Sequence, residues 1–277
     1  MSVSVLIMTL NEEASLPACL ASLSWCDDIV ILDSFSTDQT LEIARKAGAR
    51  IYQHKYETET KQRMYGLKEI EFKHPWVYMP DADEITPDDL RDEMLAIARD
   101  PDRPEALFRV RYKNMFMGRW VKHSSLYPTW ITRLCRPERV RYERECHSRC
   151  VGDGPTGRLN SHFIHYSFSK GLTAWFDKHN RYSGFEAKES LQILRDRGIP
   201  WKDFFSPTPE ARRRALKELS YRVPFRPAAR FVYMYLLRGG FLDGWQGYHY
   251  CRLIAAYEYM IVIKIQEQRR REHGLSI

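Results

Sequence analysis

Two carboxylates separated by one small residue, in Asp81-Ala82-Asp83, are the clearest candidates for chemistry in this sequence. Carboxylates at positions i and i+2 can converge on one hard divalent cation, Mg²⁺ or Mn²⁺. A cation held there would neutralise a diphosphate and stabilise it as a leaving group. Acidic turns and helix N-caps, such as the Thr86-Pro87-Asp88-Asp89 segment, are also common, so this pattern alone leaves a structural interpretation open.

Polar clusters follow two earlier apolar runs of the chain in the same way. Thr9-Leu10-Asn11-Glu12-Glu13 follows the run at residues 3–8, and the cluster at residues 33–38 follows the run at residues 29–32. The Asp81-Ala82-Asp83 segment follows a third run at residues 76–79. In open α/β sheets, ligands bind at the carboxyl ends of the strands. The three clusters are therefore expected to line one edge of one sheet.

The elements that must position these clusters alternate in the order of βαβ units. Short β-branched runs alternate with amphipathic stretches over the first hundred residues, which predicts a parallel sheet. Beyond residue 104 we expect strands in a mixed continuation, then a long helix, a proline-broken connector at residues 200–227 and two final helices. The predicted strands are 3–8, 29–32, 51–53, 76–79, 106–112 and 129–135, and the predicted helices are 16–23, 41–47, 61–70, 170–197, 227–237 and 245–271.

In this ordered combination the chain resembles the family 2 glycosyltransferases. The matching segments are a T-x-N-E-E start at residues 9–13, a D-[DS]-x-S-T-D loop at residues 33–38 and the D-x-D loop. Residues 62–66 are similar to the Q-R-N-x-G segment of the family, with Met64 in place of the usual Asn. The match covers residues 3–100. It implies an α/β protein of the GT-A fold, a Rossmann-like mixed sheet that binds a nucleotide-sugar and is flanked by helices, here with a C-terminal helical extension.

The resemblance implies roles in binding a nucleoside-diphosphate sugar for the residues of the first two loops. Thr9, Asn11 and Glu13 would border the nucleotide, and Asp33 and Ser34 would approach the base. Many relatives carry a second Asp where this chain has Ser34. The choice between a UDP-sugar, which we favour, and a GDP-sugar therefore stays open.

The remaining donor residues implied by the resemblance are Arg63, Asp81, Ala82 and Asp83. Arg63 would reach the ribose or the phosphates, because a planar guanidinium suits phosphate geometry. Asp81 and Asp83 would hold sugar hydroxyls, ribose and Mg²⁺ or Mn²⁺.

Some GT-A enzymes use a late histidine as a metal ligand, and His165 is the candidate here, although a lone histidine is more often structural. A zinc site among the Cys and His residues at 146–165 is the alternative, but their spacing matches no common zinc module.

Most family 2 members invert the anomeric centre in one displacement, so a carboxylate must deprotonate the acceptor hydroxyl. Relatives often carry an acidic residue in the segment that matches residues 144–148, and Glu145 is the nearest candidate for this base. Ser148 stands where some relatives have Glu. Asp177 is the second candidate, with a solvated helix residue as its alternative interpretation.

A weaker resemblance extends to a bacterial subgroup that builds lipopolysaccharide core and exopolysaccharide, including enzymes that transfer glucose to core heptose. The segments that are similar to this subgroup are His165-Tyr166, residues 178–183 and Gly239-Gly240-Phe241-Leu242-Asp243-Gly244. The implied acceptor is a lipid-linked glycan or lipopolysaccharide.

The net charge of +7 is concentrated at the C-terminal end of the chain. Residues 208–277 hold 13 basic and six acidic residues, so the first 207 residues are formally neutral. This distribution argues against a uniformly basic nucleic-acid binder, and we expect no nucleic-acid partner. Cations beside aromatic residues suit an anionic membrane surface. The predicted contact consists of basic residues followed by an aromatic and apolar run at 231–237, and the basic residues are Arg212, Arg213, Arg214, Lys217, Arg222, Arg226 and Arg230. Packing of the apolar helix faces on the catalytic domain is the alternative interpretation.

The first residues show neither the basic n-region nor the long apolar stretch that a signal peptide has. The most apolar region of the chain, residues 231–265, is interrupted by charged residues, which argues against a transmembrane helix. We therefore expect a cytoplasmic protein with reduced cysteines, peripheral on the inner face of the cytoplasmic membrane.

The predicted division is a glycosyltransferase domain at 1–205, with a nucleotide-sugar half at 1–100 and an acceptor half at 101–205, and a basic helical region at 206–277. The rival enzyme class is a sugar nucleotidyltransferase, which would normally show a basic Gly-rich loop near the first strand, and residues 9–16 contain no Gly, Lys or Arg. The rival non-enzymatic class is a membrane-surface or RNA-binding module that uses the basic tail. RNA modules favour aromatics on a basic sheet, whereas here the cations lie in predicted helices.

Overall fold

The structure is a computed structural model, and it describes residues 2–143, 149–196, 201–221 and 225–277. The chain forms two compact units, one of Met1–Trp120 with Tyr127–Lys170 and one of Val121–Leu126 with Gly171–Ile277. The first unit is α/β and the second is helical. The predicted fold class is therefore confirmed, and the predicted division of roles at residues 205 and 206 stays a prediction.

The first unit is built on a mixed sheet with the strand order β3-β2-β1-β4-β8-β6-β11-β5, and β7 pairs with β6. The four strands β3, β2, β1 and β4 run parallel, as the βαβ alternation predicts. β8 then pairs antiparallel with both β4 and β6, and β9 and β10 form a separate antiparallel pair. The strands are β1 (Ser4–Thr9), β2 (Ile29–Asp33), β3 (Arg50–Gln53), β4 (Val77–Tyr78), β5 (Glu84–Ile85), β6 (Leu107–Phe116), β7 (Arg119–Trp120), β8 (Trp130–Cys135), β9 (Val140–Glu143), β10 (Arg149–Gly152) and β11 (Thr156–His165).

Four helices cover the two faces of this sheet. They are α1 (Leu16–Ala21), α2 (Thr40–Lys46), α3 (Glu59–Glu69) and α4 (Asp88–Ala98). Because side chains alternate along a strand, Val5 and Ile7 of β1 enter the core that contains α1 and α4, while Leu6 enters the core that contains α3. A Cβ atom on Gly66 of α3 would lie 2.7 Å from Leu6 Cδ2. The glycine of the Q-R-N-x-G-like segment therefore allows α3 to pack closely on the sheet.

The second unit consists of helices α5 (Gly171–Asp196), α6 (Trp201–Phe204), α7 (Pro209–Ser220), α8 (Arg226–Val232) and α9 (Gly244–Glu272), together with residues 121–126. A π-helical segment, Tyr233–Leu237, and a 3₁₀ turn, Gly240–Asp243, join α8 to α9. Leu191 of α5 packs with Ile261 and Ile265 of α9 in a buried cluster. Within the residues that the structure describes, no helix is both long and apolar enough to cross a membrane.

The two C-terminal segments that carry the subgroup resemblance make structural contacts inside this unit. Lys264 Nζ of α9 donates to Asn180 Oδ1 at 2.7 Å and to Ser183 Oγ at 2.8 Å. Asp243 is buried, and its carboxylate accepts the backbone N–H groups of His123 and Ser124 at 2.9 and 2.7 Å. These segments therefore hold α5 to α9 and the α8–α9 connection to residues 121–126.

The prediction of a proline-broken connector at residues 200–227 is wrong, because this stretch contains α6 and α7. Pro209 lies in the first turn of α7 and Pro227 in the first turn of α8. A proline there loses no helical hydrogen bond, since the first N–H groups of a helix have no partner within it. For residues 86–89 the sequence suggested only an acidic turn or a helix N-cap. The structure has a helix there, α4, which begins at Asp88 and continues to Ala98.

Candidate active site

The carboxyl ends of β1, β2 and β4 lie side by side and bring the three polar clusters to one edge of the sheet. Thr9 pairs with Asp33 at the end of the β1–β2 ladder, and Met8 forms a parallel bridge with Asp81 just beyond β4. Thr9 Oγ1 donates to Asp33 Oδ1 at 2.9 Å. The structure therefore brings together the three clusters that the sequence predicts at this edge.

The first two loops are joined by hydrogen bonds between their side chains and backbones. Asn11 has a left-handed backbone with φ 54°, and its Oδ1 accepts from the backbone N–H of Thr37 at 2.8 Å. Its own N–H donates to Ser36 Oγ at 2.9 Å, and Glu13 Oε2 accepts from the backbone N–H of Gln39 at 3.0 Å. Asn11 and Glu13 thus organise the loop pair, and their predicted contacts with a nucleotide stay predictions.

Asp33 is fully buried at the end of β2 and accepts several hydrogen bonds. Besides Thr9, its donors include the backbone N–H of Ser36 at 2.8 Å and Gln53 Nε2 at 3.3 Å. These donors compensate its buried charge and fix the turn that follows the strand. The next residue, Ser34, is positioned by that turn.

Ser34 contacts Gln62, which in turn contacts the first of two stacked rings, those of His54 and Tyr65. Gln62 of α3 is buried, and its Nε2 donates to Ser34 Oγ at 3.1 Å. Its Oε1 lies 2.8 Å from Nδ1 of His54, whose ring stacks on Tyr65 at a centroid distance of 3.9 Å. Gln62 belongs to the Q-R-N-x-G-like segment, and Tyr65 occupies its variable position, but no sequence signal pointed to His54. Flat rings next to hydrogen-bonding groups are chemically suited to a planar base.

Asp81 lies between two guanidinium groups. Arg133 Nη2 contacts Asp81 Oδ2, and Arg63 Nη2 lies 3.4 Å from Asp81 Oδ1. Burial raises the pKa of Asp81, but the charges of Arg133 and Arg63 outweigh it and hold that pKa well below its usual range. Arg63 is itself buried, with its guanidinium 5.7 Å from the centre of the Tyr142 ring. Asp81 is therefore a carboxylate whose charge is balanced within the protein.

Glu84 and Arg133 were missed in the sequence. Glu84 is buried at the start of β5, where it contacts Arg133 Nη2 and accepts the backbone N–H of Asp81 at 3.2 Å. Arg133 is brought there by β8, whose carbonyl at that residue accepts the N–H of Met79 at 2.7 Å. Burial raises the pKa of Glu84 to about 7 even though Arg133 lowers it. Arg133 thus binds two carboxylates and fixes the D-x-D turn.

Asp83 points to a different partner. His165, at the end of β11, lies with Nε2 3.4 Å from Asp83 Oδ2, and the N–H of Tyr166 donates to the Asp83 carbonyl at 2.9 Å. Burial lowers the pKa of His165, but the hydrogen bond to Asp83 and its charge raise it by more. Between the two carboxylates, Ala82 is buried in the core, so any donor contact of this residue would come from its backbone.

The donor atoms of Asp83 and His165 fit a divalent cation better than those of Asp81 do. A carboxylate oxygen and an imidazole nitrogen suit Mn²⁺, and Mg²⁺ commonly takes one or two carboxylates with the substrate's phosphates. The oxygens of Asp81 instead face guanidinium groups. No cluster of three or more His, Cys, Asp or Glu side chains is arranged to hold a metal in the described part of the chain. Metal binding by Asp81, Asp83 and His165 stays a prediction.

The catalytic base was predicted at Glu145 or at Asp177. Glu145 lies outside the described residues. Asp177 is exposed on α5, in the second unit. Both assignments stay predictions.

Comparison with known proteins gives a family for the first unit. Residues 4–164 match the family described as Glycosyl transferase family 2. The lipopolysaccharide core biosynthesis glycosyltransferase LpsC of Rhizobium meliloti (strain 1021) is 24% identical over 272 residues, which are 96% of this chain and 92% of LpsC. The 4,4'-diaponeurosporenoate glycosyltransferase of Staphylococcus haemolyticus (strain JCSC1435) is 42% identical over 59 residues, which are 20% of this chain and 16% of that protein.

Among solved structures, glucosyl-3-phosphoglycerate synthase from Mycobacterium tuberculosis, in complex with Mn²⁺, UDP and glucosyl-3-phosphoglycerate, is 25% identical with a TM-score of 0.35. The match covers 40% of this chain and 44% of the synthase. This chain thus spans most of LpsC but less than half of the synthase or of the staphylococcal enzyme.

Proposed function

The chain belongs to glycosyl transferase family 2, and from that premise we propose that it transfers a hexose from a nucleoside-diphosphate sugar to a lipid-linked glycan or lipopolysaccharide acceptor, with inversion. A UDP-sugar is the favoured donor and a GDP-sugar the alternative. The observation that carries the proposal is the convergence of Asp33, Asp81 and Asp83 at one sheet edge, beside Arg63 and His165.

On the donor side, the base lies against Ser34 and the stacked pair of His54 and Tyr65, where Gln62 holds the Ser34 hydroxyl. Arg63 reaches the ribose or the phosphates. Asp81, held by Arg133, accepts hydrogen bonds from sugar or ribose hydroxyls. Because Arg133 and Glu84 fix its position before the donor arrives, little ordering cost remains on binding.

Asp83 and His165 are the residues that would hold Mg²⁺ or Mn²⁺. The bound cation would neutralise the diphosphate and stabilise it as the leaving group. Binding of the cation requires a neutral imidazole, so His165 must lose its proton first. Because Asp83 raises the pKa of His165, affinity for the cation will fall as the pH is lowered.

On the acceptor side, a carboxylate deprotonates the attacking hydroxyl, and Glu145 and Asp177 remain the proposed bases. The Glu145→Gln variant is expected to lose transfer and keep donor binding. Retained transfer in that variant would move the assignment to Asp177.

The acceptor class is supported by the similarity to LpsC along nearly the whole chain. A lipid-linked acceptor agrees with a cytoplasmic enzyme that is peripheral on the inner face of the membrane. The basic C-terminal residues, including Arg212, Arg213 and Arg214, are proposed to meet anionic lipid there.

Calorimetric titration with UDP and with GDP, each with and without Mn²⁺, tests the donor site. Metal-dependent binding of one nucleotide is expected, together with its loss in the Asp83→Ala variant. Asp92→Ala is the matched control, because Asp92 is an exposed carboxylate on α4 that pairs with Arg91. If the native chain binds neither nucleotide, or if Asp83→Ala binds as tightly as the control, the proposed donor site is wrong.

A further inference from the structure

The connection between α8 and α9 exposes a concentration of large apolar side chains. Leu237 is 75% exposed and Trp245 is 58% exposed, and three further residues nearby are more than half exposed. The set is called the tip surface here, and it consists of Leu236, Leu237, Phe241, Leu242 and Trp245. Contiguous exposed apolar patches of this kind mark interaction sites in soluble proteins.

One reverse turn brings the two halves of the tip surface together. The π-helical segment ends at Leu237, and Gly239, which has a left-handed φ of 73°, directly precedes the 3₁₀ turn. The N–H of Gly239 donates to the Leu236 carbonyl at 3.2 Å, and the N–H of Leu242 donates to the Gly239 carbonyl at 2.9 Å. The rings of Tyr235 and Phe241 lie 6.3 Å apart. The tip surface is thus continuous across the turn.

The backbone beneath the tip surface is held rigidly. Asp243 is 3% exposed and accepts hydrogen bonds from the Ser124 hydroxyl and backbone N–H, each at 2.7 Å. A Cβ atom on Gly247 would lie 2.1 Å from the Gly240 carbonyl oxygen, so α9 begins in close contact with the turn. The apolar side chains are therefore presented by a fixed turn, which lowers the ordering cost of binding.

The charges around the tip surface are positive. Residues 225–252 contain Arg226, Arg230, Arg238 and Arg252, and their only acidic residue is the buried Asp243. Arg226 pairs with Glu258 at 2.6 Å, while Arg238 and Arg252 are exposed. Exposed leucine and aromatic side chains flanked by arginine match the interfacial region of an anionic bilayer, where apolar groups enter the acyl boundary and cations meet phosphates.

We propose that the tip surface inserts into the interfacial region of an anionic lipid bilayer. The proposal rests on the proposed function only for its purpose, which is to bring the enzyme to a lipid-linked acceptor. It places the membrane contact on the α8–α9 turn. Leu236 and Leu237 end the stretch predicted from the sequence at residues 212–237, and the structure adds Phe241, Leu242 and Trp245 to them.

Flotation of the full chain with phosphatidylcholine vesicles containing about one-third phosphatidylglycerol tests the proposal. The Leu237→Ser, Phe241→Ser double variant is expected to lose at least about tenfold in vesicle partitioning, because two apolar side chains leave the interface. The matched control is Tyr259→Ser, Ile263→Ser, which removes two exposed apolar side chains from α9. Ile263 lies 18 residues beyond Trp245, about 27 Å along the helix.

Equal flotation of the tip variant and the native chain would overturn the proposal, as would equal losses in the tip and control variants. Light scattering after gel filtration identifies a competing occupant: a native dimer that becomes monomeric in the tip variant, with vesicle binding unchanged, would make the surface an interface between copies. Titration of each variant with UDP and Mn²⁺ separates the two proposals. Failure of nucleotide binding leaves flotation unaffected, and failure of flotation leaves nucleotide binding unaffected.

Discussion

Replacement of Arg133 by methionine tests whether this guanidinium holds the D-x-D turn. The Arg133 side chain is 5% exposed and contacts both Asp81 and Glu84. Methionine fills much of the same volume without a charge, so the main change is loss of the cation. Arg63 remains near Asp81, but its contact is with the opposite oxygen, at 3.4 Å.

The expected cost follows from the burial of Glu84. Its side chain is fully buried, and removing one partner of a buried ion pair costs about 3–5 kcal/mol. The cost depends on pH, because the folded-state pKa of Glu84, about 7, is above the 4.5 of the free side chain. A raised carboxyl pKa means that the folded state binds more protons, so this contribution to stability is present below 4.5 and lost as the pH rises towards 7. Without Arg133 that pKa rises further, so the variant will be destabilised more at pH 8 than at pH 6.

Urea unfolding of the native chain, Arg133→Met, Glu84→Gln and the double variant measures this coupling at both pH values. Glutamine removes the charge that methionine would leave unpaired, so the double variant should regain about 1–3 kcal/mol relative to the sum of the single losses. Arg133→Lys keeps the charge without the planar fork and should fall between the native chain and Arg133→Met. An Arg133→Met variant within about 0.5 kcal/mol of the native chain, or strictly additive losses, would refute the reasoning.

Two further predictions concern the packing of the first unit. Asp28 is buried, and burial raises its pKa. Hydrogen bonds from Ser4, the Lys73 N–H and Arg50 outweigh burial, so the pKa of Asp28 lies below 3.8. The contribution of Asp28 to stability is therefore lost as the pH falls below that value. Asp28→Asn should lower the free energy of unfolding at pH 7 by about 1–3 kcal/mol and flatten the acid limb of a stability-pH curve, and an unchanged acid limb would contradict this. Gly66→Ala should cost about 1–3 kcal/mol in thermal or urea unfolding, because its Cβ would overlap Leu6. Gly184→Ala in α5 has no atom within 4 Å of the new Cβ and should be neutral or stabilising, so equal losses in both variants would refute the packing argument.

The elements of the parallel half of the sheet could be predicted because their signals are local. Each strand from β1 to β4 is a short apolar run followed by polar residues, and the observed bounds agree with the predicted ones within two residues. The positions of Thr9, Asp33 and Asp81 at one edge then follow from the rule that parallel strands end together. Local sequence patterns were therefore sufficient to predict the parallel strands and the edge at which they end.

The partners of the site carboxylates could not be predicted, because they come from strands paired over long separations in sequence. Arg133 reaches Asp81 only because β8 pairs antiparallel with β4, and His165 reaches Asp83 only because β11 pairs antiparallel with β5. In the sequence, Arg133 is one arginine among many basic residues, and Glu84 looks like part of an acidic turn. His165 was identified through family resemblance, which supplied long-range information that local periodicity lacks.

The two aspartates of the D-x-D segment differ in electrostatic environment although they share one motif. Asp81 is balanced by Arg63 and Arg133, whereas Asp83 faces the imidazole of His165. A divalent cation that approaches this edge is repelled by the guanidinium groups at Asp81 and attracted to Asp83. The same guanidinium groups attract the phosphates that would arrive with the cation. For the proposed donor site, this charge arrangement would favour a complex of cation and diphosphate over either ion alone, and the predicted consequence is nucleotide binding that depends on metal.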